Sequence, residues 1–309
     1  MCGIAGIIYR NGENNVGQDM TRMLQSMKHR GPDSTGYALY GKEGPGVLMR
    51  YTLADANSPR DFDYVDRLAR HQREITSRIE HAGATILTSE AETEYAYRLT
   101  LDFKGDLKRL TDLVEDVPEA EVLSLGHSLE IVKDIGDAET VSNQYELGDF
   151  RGTHAIGHVR MATESDVDIS GAHPYWAYPF SDVAVVHNGQ LTNYFYWRRR
   201  LERNGHRFQS ECDSEIIAVY LAEKMAEGAD LKAAMTDSLE ELDGVFTYMC
   251  VTADALGVCK DEMAAKPLVL YEGEDMIAMA SEEIAIRAIM DHEIDTYDPY
   301  EKEVLVWQR

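Results

Sequence analysis

MCGIAGIIY, residues 1–9, places a cysteine directly behind the initiator methionine and follows it with an apolar run of strand length. No basic segment precedes the run. Ile4 to Tyr9 is far short of the roughly 20 apolar residues that span a bilayer. Methionine aminopeptidases remove Met1 when the next side chain is small, which would leave a free α-amino group on the residue that carries the thiol. An α-amino group titrates at about 7.7–8.0 and a cysteine thiol at about 8.5, so the amine can take up the thiol proton directly or through water. One residue would then hold nucleophile and base. The competing reading is a small hydrophobe opening a strand. Met-Cys openings arise by chance, so the remainder of the chain has to decide between the two.

Bulk properties narrow the classes. A chain of 309 residues buries a large core and permits one or two domains. With 55 acidic and 30 basic residues its formal charge is −25, which repels nucleic acid and anionic membrane surfaces alike. The surplus is spread through Glu90, Glu92, Glu94, Asp112, Glu115, Asp116, Glu240, Glu241 and Asp243 and reads as solvated faces. Cys2, Cys212, Cys250 and Cys259 make no C-x-x-C pair and no zinc-type cluster with histidine. These features predict a soluble cytoplasmic protein without a metal site, a nucleic-acid partner or a membrane partner.

The periodicity predicts strands at both ends and helices between them. Gly3–Tyr9 reads as a buried strand. A helix opening at Asp19 carries Met20, Met23, Leu24 and Met27 on one face, a stripe that suits core packing. Strands are expected at Gly36–Tyr40, Ala155–Met161 and Asp182–His187. Helices follow in TNYFYWRRRLERNG, from Asp213 to about 227, and from Asp230 to Leu242. VFTYMCVT, ALGVCK, PLVLY, MIAMAS and Val304–Trp307 read as further strands, with a short helix from about Glu282. The span 61–150 differs in being more charged and in running β, β, α, β after a long polar helix; it reads as a small α/β subdomain inserted into a domain of residues 2–309.

Six short strings change the weight given to Cys2. MCGIAG, HRGPDSTG (29–36), GHVRMAT (157–163), GAHP (171–174), VVHNG (185–189) and CDSE (212–215) occur in this order. Together they resemble the signature of the class II, N-terminal-nucleophile glutamine amidotransferases, and the resemblance spans nearly the whole chain. It implies an α+β fold, the four-layer αββα sandwich of N-terminal-nucleophile hydrolases, and hydrolysis of glutamine to glutamate and ammonia through a thioester on Cys2.

Free glutamine brings a carboxylate, an ammonium and a terminal amide. The resemblance assigns Arg160 to the α-carboxylate, a match to the two-pronged guanidinium, and Asp213 to the α-ammonium. It places the oxyanion hole at the Asn188 side chain and the Gly189 main-chain N–H. Thr163 and His173 match residues that line the glutamine pocket, and Arg30 and Gly31 match the loop that braces the terminal cysteine. Plainer readings stand beside these: Arg160 as a surface ion-pair partner, Asp213 as a helix cap, Asn188-Gly189 as a hairpin turn, and His154, His158 and His187 as core histidines.

Met161 stands where many family members carry an aromatic residue, which alters any gating by that side chain. TESDVDISGAHP also departs from the large glutamate synthases. The wording is closer to standalone subunits that serve separate glutamate-synthase-type polypeptides, such as that of N-methylglutamate synthase. With the chain ending at Arg309, an acceptor domain is expected on another polypeptide. The sequence has no G-x-G-x-x-G, P-loop or iron–sulfur cysteine set. No cofactor is therefore expected in this chain; FMN and an iron–sulfur cluster belong, on the resemblance, to synthase subunits that receive the ammonia. Two rival readings are a catalytically silent glutamine-sensing subunit and a different N-terminal cysteine hydrolase with an apolar acyl pocket.

Overall fold

The computed structural model describes residues 2–162 and 168–309. All seven residues of β1 (Gly3–Tyr9) are buried, as a continuous apolar run requires when a strand is covered on both faces. It lies inside a six-stranded sheet ordered β13 (Val269–Glu272), β14 (Met276–Ala280), β1, β8 (His154–Arg160), β2 (Ser34–Tyr40), β7 (Leu129–Ile135). A five-stranded sheet is ordered β15 (Val304–Gln308), β12 (Ala255–Lys260), β11 (Gly244–Val251), β10 (Ala184–Leu191), β9 (Tyr175–Trp176). Strand pairing is antiparallel in both.

The two sheets stack, with β1 and β8 of the first against β10 and β11 of the second. Helices α1 (Val16–Ser26), α4 (Ala138–Gln144) and α8 (Glu283–Arg287) cover the six-stranded sheet. Helix α6 (Asp213–Ala226) packs on β10, α7 (Leu231–Glu241) on β12 and β15, and α5 (Tyr194–Arg203) on α6. This is the αββα sandwich expected from the sequence. The methionine stripe of α1 is core: Met20, Met23, Leu24 and Met27 are fully buried. The helix starts at Val16 rather than Asp19, because Asn14 bridges to Gly152 and the Gly17 N–H donates to the Phe150 carbonyl, docking the chain one turn earlier.

A third sheet, ordered β4 (Thr85–Ala91), β5 (Ala96–Asp102), β3 (Val47–Thr52), β6 (Glu121–Gly126), carries α2 (Tyr64–His81) and α3 (Leu107–Glu115). Its extent is 47–126, whereas the sequence reading put the inserted unit at 61–150. Strand β3, from before residue 61, lies between β5 and β6, and Leu129–Ile135 pairs instead with β2 of the main body. Glu130 on β7 ties the two units together: its carboxylate accepts from Arg50 Nε of β3 at 2.8 Å and from Arg98 Nε of β5 at 2.7 Å.

Among the described residues no helix is long and apolar enough to cross a membrane.

Candidate active site

Cys2 precedes β1 and is partly buried, and its position is set by bonds to its own main chain. The Cys2 carbonyl accepts from Arg30 Nε at 3.0 Å and from Asn188 Nδ2 at 3.2 Å. Arg30 closes the helical turn Lys28–Arg30 beside the six-stranded sheet, and Asn188 sits on β10 of the opposing sheet. The two sheets thus converge on one oxygen. Arg30 in turn donates from Nη1 to Glu282 Oε1 at 2.6 Å. The next residue of β1, beyond Gly3, is tied at both polar atoms: Ile4 N–H donates to Ser281 Oγ at 3.0 Å and its carbonyl accepts from Ser281 N–H at 2.9 Å.

Arg160 ends β8, one position beyond the Val159–Gly3 pair, so strand register brings its main chain beside Cys2. It is only 9% exposed, which rules out the surface ion-pair reading. Gly31 makes this approach possible, since a Cβ there would lie 2.4 Å from the Arg160 carbonyl carbon. Asp33 continues the clasp: its N–H donates to the Arg160 carbonyl at 3.1 Å and its Oδ2 accepts from Ala162 N–H at 2.7 Å. The guanidinium reaches Gly171, where a Cβ would stand 2.8 Å from Nη2. Thr163 lies outside the described residues.

Asp213 is the first residue of α6, with Cys212 at the cap position. Its carboxylate does not cap the helix. Oδ2 accepts from Leu191 N–H at 2.7 Å, and Oδ1 lies 3.5 Å from His187 Nδ1, so Asp213 grips both sides of the Asn188-Gly189 step on β10. Burial alone would raise this carboxyl, but the His187 ring and the Leu191 N–H hold it below the usual carboxylate range, and it stays ionised. Gly189 has φ +152°, and a Cβ there would meet the Val245 carbonyl at 2.2 Å, so the step belongs to a strand and not to a hairpin turn.

Behind Asp213 is a buried polar network. Ser214 Oγ lies 2.7 Å from His173 Nε2 and 2.8 Å from His187 Nδ1, so its hydroxyl can donate to one ring and accept from the other. His158 packs edge-on to His173 with ring centroids 4.1 Å apart. Burial pushes His158 down to about 3 and His173 well below the ordinary histidine value, so both rings are neutral. The Cys212 thiol, 3.7 Å from His173 Nε2, is pushed up by burial and by the Asp213 charge and stays protonated. Among the described residues no three His, Cys, Asp or Glu side chains group as a metal site.

Cys2, Arg30, Gly31, Arg160, Asn188 and Gly189 are thus linked through direct contacts and strand register, while Asp213 joins β10 from α6, and His173, packed on His158 of β8, reaches the same helix through Ser214. Sequence reasoning passed over Asp33, Ser214, Ser281 and Glu282. Asp33 and Ser214 lie within quoted strings, but Glu282 reads only as the acidic start of a helix, and nothing in its neighbours points 252 residues back to Arg30.

Residues 158–288 match the family described as a glutamine amidotransferase domain. A Methanothermobacter thermautotrophicus protein named "Putative glutamine amidotransferase" is 38% identical over 98% of this chain and 99% of its own length. This chain belongs to the glutamine amidotransferase family. The glutamine amidotransferase-like protein GlxB of Rhizobium meliloti is 34% identical over 99% of this chain and 98% of its own. The fold of this amidotransferase is shared with the Bacillus subtilis glutamine phosphoribosylpyrophosphate amidotransferase solved with ADP and GMP. The two superpose with a TM-score of 0.61 at 19% identity, over 99% of this chain and 47% of that one.

Proposed function

We propose that this amidotransferase is a glutaminase subunit that hydrolyses glutamine through Cys2 and passes the ammonia to a separate glutamate-synthase-type partner. The observation that carries the reading is the double grip on the Cys2 carbonyl by Asn188 and Arg30, which fixes a nucleophile next to the residue that would hold its oxyanion.

Removal of Met1 gives Cys2 a free α-amino group, which takes the thiol proton as sulfur adds to the glutamine side-chain carbonyl. Arg160 pairs with the substrate α-carboxylate and the ionised Asp213 with its α-ammonium. The oxyanion is received by the second N–H of the Asn188 amide and by the Gly189 N–H; removing one such donor typically slows catalysis about 100- to 1,000-fold. Collapse of the adduct breaks the C–N bond. The ammonium form of the terminal amine supplies the proton to the leaving ammonia, and a γ-glutamyl thioester is left on Cys2. The amine then deprotonates water, whose addition and the expulsion of sulfur release glutamate.

Delivery to a partner rests on resemblance to the standalone subunits. The two relatives matched over 98–99% of their own length have no room for a synthase region beyond the matched span. FMN and an iron–sulfur cluster belong in this reading to the partner.

Glutamate release by the purified chain, with intact mass recorded, tests the glutaminase step. Wild type lacking Met1 is expected to release glutamate and Cys2→Ala none. A chain that has lost Met1, releases no glutamate and takes up no thiol-alkylating glutamine analogue would overturn the proposal.

A further inference from the structure

We infer that Glu282 is a positioning residue for the nucleophile, acting through Arg30. The inference rests on the glutaminase reading above and adds to it a residue from the far end of the chain. Glu282 follows β14 and uses both carboxylate oxygens on one turn of the chain: Oε1 accepts from Arg30 Nη1 at 2.6 Å, and Oε2 lies 3.0 Å from His29 Nε2. From Arg30 the connection runs through Nε to the Cys2 carbonyl at 3.0 Å.

Apart from Nε on the Cys2 carbonyl, the guanidinium of Arg30 has one other hydrogen-bonded nitrogen among the described residues, Nη1 on Glu282. The Arg30 side chain is 9% exposed, and its third guanidinium nitrogen, Nη2, is buried with no hydrogen-bond partner among the described residues. Without Glu282, whose own side chain is 32% exposed, Nη1 would lose its acceptor while Nη2 already lacks one among the described residues. A buried cation in that state reorients toward water, because an unpaired charge is costly to keep desolvated. The Cys2 carbonyl would then lose the Arg30 donor and keep the bond from Asn188.

This matters because of where Cys2 sits in the chain. After Met1 is removed, Cys2 is tethered by a single peptide bond, and the hydrogen bonds on its carbonyl set the direction of its sulfur. A misplacement of about 1 Å costs on the order of 100-fold in rate. Ser281 acts on the other side of Gly3, where it holds Ile4 at both polar atoms. Ser281 and Glu282 together therefore hold the residues flanking Gly3. The Glu282 carboxyl stays ionised as Arg30's counter-charge, since burial works to raise it but the guanidinium holds it below the usual range.

The test compares wild type, Glu282→Ala, Glu282→Gln and the neighbouring Glu283→Ala, whose carboxylate pairs with Arg287 and Thr296 instead. Glutamate release is normalised to folded protein by circular dichroism, and the rate of Cys2 alkylation by iodoacetamide is followed by mass spectrometry. Glu282→Ala is expected to lower kcat about 10- to 100-fold with KM within about two-fold, and to change the Cys2 alkylation rate. Glu282→Gln, which keeps an oxygen acceptor, is expected to retain more activity, and Glu283→Ala to match wild type. Unchanged kcat per folded molecule, or a rise in KM alone, overturns the inference. If the alanine variant does not fold, Glu282→Gln decides: kcat below wild type with KM within about two-fold and a changed Cys2 alkylation rate supports the linkage, and wild-type kcat with a wild-type alkylation rate overturns it. A wild type that releases no glutamate counts against the glutaminase reading, while the alkylation rates still test the Glu282 linkage.

Discussion

Asn188 donates one of its two amide N–H groups to the Cys2 carbonyl, which sets the plane of the amide before any substrate arrives. With the second N–H as an oxyanion donor, Asn188→Ala is expected to reduce kcat about 100- to 1,000-fold, as measured by steady-state glutamate release. Asp213 belongs to substrate binding in the proposal, so Asp213→Asn is expected to act chiefly on KM. A hydrogen bond to a charged group is worth about 1.5–3 kcal/mol, which corresponds to a rise of roughly 10- to 150-fold. Much of this site was legible in the sequence, because Cys2, Arg160, Asn188, Gly189 and Asp213 fall in short strings whose residue types suit an amino acid with a terminal amide. The bonds that aim them were not legible. Ser214 between two histidine rings and Glu282 on Arg30 are contacts made by folding, and no spacing along the chain encodes them.

Strand β10 and helix α6 work as a pair, with Asp213 and Ser214 of the helix bonded or in close contact with His187 and Leu191 of the strand. Gly189→Ala forces a Cβ against the Val245 carbonyl and is expected to lower the melting temperature as well as activity. The strands carrying the neutral histidines make stability depend on pH. Burial pushes His154 down to about 4 and His158 to about 3. An unfolded histidine titrates at about 6.5, so between these values the unfolded chain binds more protons, and stability falls as pH is lowered. Urea unfolding at pH 7 and pH 5 is expected to show a loss of about 1.4 kcal/mol per pH unit for each such histidine below about pH 6.5. His158→Gln is expected to shrink the difference. Most elements were legible from their periodicity, but β3 (Val47–Thr52) was passed over. GVLMRYT carries a buried arginine in its middle, and Arg50 is tolerated there only because Glu92 and Glu130 pair with it.

At the scale of the molecule, that ion cluster joins the third sheet to the catalytic sandwich through Glu130 of β7. Truncating one member of a buried ion pair leaves a desolvated charge behind, so Glu130→Ala is expected to destabilise the protein by about 3–5 kcal/mol in urea titrations. A quadruple replacement of Arg50, Glu92, Arg98 and Glu130 by apolar residues, which leaves none of these charges desolvated and unpaired, is expected to recover part of that loss. The order of layers followed from the sequence through the family resemblance, whereas the limits of the third sheet did not, since its strand β3 lies outside the polar, charged span that marked the unit. The most direct test of the central claim is peptide mapping by mass spectrometry after treatment with a thiol-alkylating glutamine analogue. The expected result is a chain beginning at Cys2 and carrying one adduct on that residue, blocked by excess glutamine. A chain that keeps Met1 yet turns over glutamine at full rate, or an inactivating adduct elsewhere with Cys2 unmodified, would contradict it.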